Sequence, residues 1–141
     1  MKRFVRLICL VMTFALLMAI PAYAQETSAR ASDYFTGYRA YCTMTSSTQL
    51  TVSYSVIGAG IMDEIGANQI KVQRSSDRTN WTTVKTFSKA NYSSMIDTNT
   101  ASHSSTLSCS VSPGYYYRAY VEFYAAKDGG SSERYYYTGI I

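Results

Sequence analysis

Val111-Ser112-Pro113-Gly114-Tyr115-Tyr116-Tyr117-Arg118-Ala119-Tyr120-Val121-Glu122-Phe123-Tyr124-Ala125-Ala126-Lys127-Asp128-Gly129-Gly130-Ser131-Ser132-Glu133-Arg134-Tyr135-Tyr136-Tyr137 decides the fold class of this chain. Pro113-Gly114 is turn chemistry, and Gly129-Gly130 marks a second turn between two runs rich in aromatic and β-branched residues. The stretch reads as a turn, a long strand, a tight turn and a returning strand. Side chains alternate along a strand, so Tyr117, Ala119, Val121 and Phe123 fall on one face and Tyr116, Arg118, Tyr120, Glu122 and Tyr124 on the other. The first set suits a core.

Upstream, the same period of two recurs. Tyr38, Ala40, Cys42 and Met44 alternate with Arg39, Tyr41 and Thr43, and Leu50, Val52, Tyr54 and Val56 alternate with Thr51, Ser53 and Ser55. Between Gly58 and Asn68 the glycines mark turns, and Ile61 and Ile65 stand four apart, so one helical turn there would tuck both inward. Gln69 to Gln73 is a strand, Ser75 to Asn80 a turn cluster, and Trp81 to Phe87 completes a hairpin with Trp81, Thr83, Lys85 and Phe87 on one side. Residues 88–103, rich in Ser, Asn and Thr, read as a long crossover with a short edge strand around Ser94 to Ile96. Thr106 to Val111 is a further strand with Leu107, Cys109 and Val111 inward. About seven strands and no strong helix predict an all-β, antiparallel two-sheet β-sandwich.

The N-terminus carries a different kind of signal. Lys2, Arg3 and Arg6 precede an apolar run from Leu7 to Ile20, Pro21 ends it, and Ala22-Tyr23-Ala24 has the small-x-small pattern of a signal-peptide cleavage site. The run is short of the roughly 20 residues that span a bilayer, so residues 1–24 are read as a cleaved signal peptide and the mature chain as secreted, with no membrane insertion afterwards. Residues 25–37 form a polar leader and 38–141 a single domain, with no Leu-Pro-x-Thr-Gly sorting motif, so release is expected rather than attachment. The whole chain has 13 Lys+Arg and 9 Asp+Glu; the first 24 residues hold three of the basic ones and no acidic ones, leaving 10 and 9. The high pI therefore belongs largely to the signal, and no basic patch argues for nucleic acid. In an exported protein the remaining even pair, Cys42 and Cys109, suggests a disulfide, with two free thiols packed as small apolar residues as the alternative.

Ser110-Val111-Ser112-Pro113-Gly114-Tyr115-Tyr116-Tyr117-Arg118-Ala119-Tyr120-Val121 resembles the corner between the fifth and sixth strands of fibronectin type III domains, within the wider immunoglobulin-like class. The resemblance implies that Tyr117 is a tyrosine-corner residue, its hydroxyl bonded to backbone a few residues upstream. Gln49 to Tyr54 is similar to that family's second strand, with Tyr54 where Trp is usual, and Ile70 to Asp77 followed by Trp81 resembles its next hairpin, which gives Trp81 a structural role. A Cys42–Cys109 bridge would join strands flanking the second strand, a departure from the family pattern, as is the long Gly58–Asn68 insert. The chain as a whole is similar to small exported proteins of unassigned function from Gram-positive bacteria.

No catalytic signature accompanies this frame. His103 is the only imidazole after the cleavage site and lies in a Ser/Thr-rich stretch, where a solvated loop histidine is the simpler reading. Asp63 and Glu64 are adjacent carboxylates without the alternating oxygen ligands of a calcium loop, and two separated cysteines with one histidine make a poor zinc site. No metal or other cofactor is expected, and no enzymatic activity. Asn80-Trp81-Thr82 and Asn91-Tyr92-Ser93 match the N-glycosylation sequon. Tyrosine stands out: 13 of 14 follow Ala24. Tyr116, Arg118, Tyr120 and Tyr124, with Tyr135 to Tyr137 returning beside them, would place a stripe of phenols and a cation on the sheet surface. Such a stripe suits a glycan or protein partner, while ordinary cross-strand aromatic pairing is the structural alternative. A rival role is a structural protein that assembles into oligomers through the same face.

Overall fold

The computed structural model describes residues 33–141; the expected signal peptide and the first part of the leader lie outside the described residues. Six strands form one antiparallel sheet that curls into a half-barrel: β1 (Phe35–Ser46), β2 (Gln49–Ser75), β3 (Thr82–Ser88), β4 (Ile96–Ser110), β5 (Tyr116–Lys127) and β6 (Gly130–Tyr137). The one helical element among the described residues is a single 3₁₀ turn, Ser93–Met95.

β2 organises the rest. On one edge it pairs with β1 (Cys42 opposite Val52) and then with β5 (Ile70 opposite Val121). On the other edge it pairs with β4 (Val52 opposite Leu107) and then with β3 (Ile70 opposite Phe87). The sequence suggested two strands here with a loop between, which is why about seven were expected. The chain instead stays extended through the glycine-containing segment, because Met62, Glu64, Ile65 and Gly66 find partners in Thr100, Thr98, Asp97 and Ile96 of β4. The expected helical turn is absent: Ile65 is fully buried, but Ile61 is 66% exposed and Met62 is buried in its stead.

The same pairing accounts for the segment expected to be a crossover. Residues 96–103 belong to β4, since the extended middle of β2 offers them a backbone partner that satisfies their N–H and C=O groups despite their polar side chains. The hairpin of β2 and β3 also departs from simple alternation. Val72 faces Lys85 but Gln73 faces Thr83, so Val84 is the extra residue of a bulge. Thr83 is therefore on the side of Gln73, and Lys85 and Phe87 are on the buried side of Val72 and Ile70, splitting the set Trp81, Thr83, Lys85 and Phe87 across the two faces.

The core takes the alternate residues of the sheet: Leu50, Val52, Tyr54, Val56, Ile70 and Val72 from β2, and Tyr117, Ala119, Val121, Phe123 and Ala125 from β5. Phe87 and Met95 close it at one side. Asp128 and Gly129 both adopt positive φ, 52° and 78°, in the two-residue turn that joins β5 to β6 with the twist a hairpin needs. Past β6 the chain keeps to β5: Thr138 N–H donates to Ala119 O at 2.9 Å, and Tyr117 and Ile141 exchange backbone bonds of 2.9 and 3.0 Å.

Cys42 and Cys109 are both free, which corrects the expected disulfide. Cys42 sits opposite Val52 on β1 and Cys109 opposite Leu50 on β4, so all of β2 lies between them. Two strand spacings separate their backbones by about 9.5 Å, beyond the roughly 7 Å that a bridge tolerates. The Cys42 thiol instead accepts a hydrogen bond from the Thr138 hydroxyl at 3.3 Å. Burial raises the pKa of both thiols, which keeps them protonated and slow to oxidise.

Candidate functional site

The outward residues of β5 lie in successive rows with their neighbours on β2 and β6. Tyr116 stands opposite Ser75, and Arg118 opposite Gln73. Tyr120 lies between Lys71 and Tyr137, and Glu122 between Gln69 and Tyr135; Tyr124 lies between Gly66 and Glu133. Their inward neighbours Tyr117, Ala119, Val121 and Phe123 are buried, so the register of β5 is held by its apolar set and the outer tyrosines follow from it.

Each outer ring of β5 carries a cation. Arg78 lies 4.1 Å from the Tyr116 ring centre, Lys71 5.7 Å from that of Tyr120 and Lys89 4.0 Å from that of Tyr124. The Arg118 guanidinium lies between two rings, 4.2 Å from Trp81 and 4.6 Å from Tyr137, and its Nε donates to Gln73 Oε1 at 2.8 Å. A cation held over an aromatic face in this way contributes about 0.5–1 kcal/mol at exposed positions. The centre of the face is aromatic: Tyr120 stacks on Tyr135 with ring centres 5.9 Å apart and 14° between planes, and Tyr137 meets Tyr120 at 5.1 Å. Tyr135 and Tyr137 remain 57% and 52% exposed.

The turn after β2 aims Arg78. Asp77 Oδ1 accepts the backbone N–H groups of Asn80 and Thr79 at 2.8 and 2.9 Å and the Ser75 hydroxyl at 2.8 Å, and Arg78 beside it adopts φ 63°. The Asn80 amides, followed by that of Thr79, hold the Asp77 carboxyl well below the usual carboxylate range. At the other end of the face Asn68 fills the bulge between Ala67 and Gln69, and its Nδ2 donates to Glu133 at 2.9 Å and to Glu122 at 3.3 Å. The Tyr135 hydroxyl donates to Glu133 Oε2 at 3.1 Å, which together with the Glu133 charge raises its pKa.

The structure thus sets Tyr116, Arg118, Tyr120 and Tyr124 along one strand, each half-buried, and adds Trp81, Lys71, Arg78, Tyr135 and Tyr137 to their face. Trp81 is half-exposed just before β3 and contacts Arg118, not the core. The parity of β6, with Glu133, Tyr135 and Tyr137 on one side, carried the signal for the last two. Lys71 and Arg78 needed the β2–β3 turn to be placed.

His103 is not a loop residue. It sits on β4 opposite Val56, 6% exposed, and its Nδ1 donates to Asp97 Oδ2 at 3.0 Å while Nε2 shares a 3.2 Å hydrogen bond with the Tyr54 hydroxyl. That hydroxyl donates to Met95 O at 3.1 Å, so the chain of groups ties the 3₁₀ turn to β2 and β4. Burial raises the Tyr54 pKa and keeps its phenol neutral. Among the described residues no three His, Cys, Asp or Glu side chains gather in metal-binding geometry. A shallow cavity of about 330 Å³ lined by Gly37, Tyr38, Arg39, Ser55 and Ile57 lies on β1 and the first part of β2, and none of the outer tyrosines of β5 and β6 lines it.

Comparison with protein-family models, curated proteins and solved structures found no match to this chain.

Proposed function

We propose that this protein is an exported, non-enzymatic binding module of the fibronectin type III-like sandwich class, which engages an extracellular ligand, a glycan or a protein, through the tyrosine face of β5 and β6. The observation that carries the reading is the exposed Tyr135 and Tyr137 pair on the edge strand β6, beside Tyr120, on a face where cations lie over Tyr116, Tyr120, Tyr124 and Tyr137. Rigid aromatic area of this kind binds at little entropic cost, because its side chains are ordered before the partner arrives.

Two observations support the sandwich part. β1, the first part of β2 and β4 pair as one group, and β3, the last part of β2, β5 and β6 as another, a distribution that corresponds to the two sheets of that class. The Tyr117 hydroxyl reaches the Ser112 backbone, five residues upstream. Export rests on the charged, apolar and small-residue pattern of residues 1–24. The non-enzymatic reading draws on the enclosure of His103 beneath Tyr54 and on the scattering of the carboxylates.

Titrating the purified protein with cell-wall and host glycans and with extracellular protein extracts, while following Trp81 fluorescence, tests the reading. The parent should respond, and a Tyr116→Ala/Tyr120→Ala/Tyr124→Ala variant of unchanged fold should lose the response. A triple variant that binds as the parent does would reduce the face to sheet stabilisation.

A further inference from the structure

The charges on the tyrosine face are sorted along the strands. Counting rows from the β2–β3 turn, Arg78 over Tyr116, then Arg118, then Lys71 beside Tyr120 make three cationic rows; Glu122, then Glu133, then Glu64 opposite Ala126 make three acidic ones. The boundary runs across the strands between the Tyr120–Tyr137 pair and the Glu122–Tyr135 pair. Each half has one exception: Lys89 in the acidic half is ion-paired to Glu64 at 3.6 Å, and Asp77 beside Arg78 in the cationic half is engaged by Ser75, Thr79 and Asn80 of its own turn. Among the described residues Lys71, Arg78 and Arg118 have no carboxylate partner; they rest on rings.

A uniformly charged ligand would be drawn to one half of this face and repelled by the other. A partner with the same gradient reversed satisfies both halves, and a second copy of this chain has that gradient. Building on the reading of this face as the binding surface, we propose that its partner is a second copy, related by a two-fold axis lying in the interface and running across the strands at the row boundary. That axis sets the Lys71–Tyr120–Tyr137 row of one copy on the Glu122–Tyr135 row of the other, and the Arg118 row on the row of Tyr124 and Glu133. Such a contact is isologous and closes as a dimer without propagating.

Three strands about 4.8 Å apart and six rows about 6.6 Å apart give about 500 Å² per copy, or about 1,000 Å² in all, the size of a weak and reversible interface. Its centre is Tyr120, Tyr135 and Tyr137, the residue type that carries binding energy in such contacts, and its ends are charge pairs that set register.

Sedimentation velocity of the purified protein over a wide concentration range is the test. A monomer–dimer equilibrium is expected, weakened by salt because the pairs at its ends are partly solvated. Lys71→Glu and Glu122→Lys should each weaken dimerisation about tenfold or more, since each sets like charges opposite one another twice. An equimolar mixture of the two should recover the dimer, because every facing pair is then of opposite sign. Tyr135→Ala, which removes an exposed ring and leaves Arg118 between Trp81 and Tyr137, should weaken it several-fold and provides the result if a charge reversal disturbs the fold. A monomer at every concentration, a dimer indifferent to these variants, or a mixture that stays monomeric would overturn the proposal. A monomer that still loses glycan or foreign-protein binding in the triple tyrosine variant would leave the face as a binding surface and remove only the self-pairing.

Discussion

The Tyr117 hydroxyl donates to Ser112 O at 2.7 Å and accepts the Ser112 N–H at 3.0 Å, so one side chain satisfies both polar groups of a residue in the turn before β5. Tyr117 is itself 2% exposed, and the bond pins the turn to the core. Replacing it with Phe removes both bonds at a cost of about 0.5–1.5 kcal/mol, since the exposed Ser112 can turn to water instead. The urea midpoint of Tyr117→Phe should fall with an unchanged slope, since the fold and the surface it buries stay the same. Tyr117 was legible in the sequence because Pro113-Gly114 and the alternation beyond it fix its parity. His103 was not, because nothing adjacent to it in the chain is apolar. Its burial comes from Val56 across the ladder and from Tyr54, residues some fifty positions away.

At the scale of elements, β2 is where local reading and structure part. Its first residues and Gln69 to Gln73 alternate plainly, but the segment between them is glycine-punctuated and would be a loop in isolation. It is extended because β4 pairs with it, a tertiary decision that no window of sequence contains. Gly66 is the tightest point of that pairing. A Cβ there would overlap the Met95 carbonyl oxygen and come 2.9 Å from the Ile96 Cα, with backbone on every side and no flexible side chain to yield. Gly66→Ala should therefore destabilise by about 3 kcal/mol or more, at the upper end of overpacking costs. Thermal unfolding measures it directly, and a loss below about 0.5 kcal/mol would mean that the 3₁₀ turn moves away freely. The Val84 bulge was hidden for a related reason: a single extra residue leaves the composition of a strand untouched while reversing the faces of everything beyond it.

For the molecule as a whole, the ionisable groups with shifted pKa values, apart from Asp77, all resist deprotonation in the folded state. Burial raises Tyr54, Cys42, Cys109 and Tyr120, and the bond to Glu133 raises Tyr135. A group whose folded pKa lies above its unfolded value stabilises fully below the unfolded pKa and loses that contribution as pH climbs past it. With unfolded values of about 8.5 for Cys and 10 for Tyr, stability should decline steadily above about pH 8, while the depressed Asp77 carboxyl removes a contribution in acid as pH falls below the unfolded Asp value of about 4, leaving a level range between. Urea midpoints across that range check the decline, and phenolate absorbance should show the Tyr54 share appearing only with unfolding. The free thiols give a second whole-chain prediction: intact mass should be the same with and without reductant, and both Cys42 and Cys109 should become alkylated once urea opens the core. The overall class was readable from alternation alone, whereas the face needed β3, β5 and β6 brought together. β2 also imposes a schedule. It pairs with four of the other five strands, and its partners on β5 lie up to 62 residues downstream, as in Glu64 with Ala126. A chain that emerges N-terminus first, from a ribosome or through a narrow channel, can lay β3 and then β4 along one edge of the latter part of β2, but its other edge stays open until β5 is out. Such a polypeptide can complete its core only once β5 is free to pair, because Tyr117, Ala119, Val121, Phe123 and Ala125 all come from that strand.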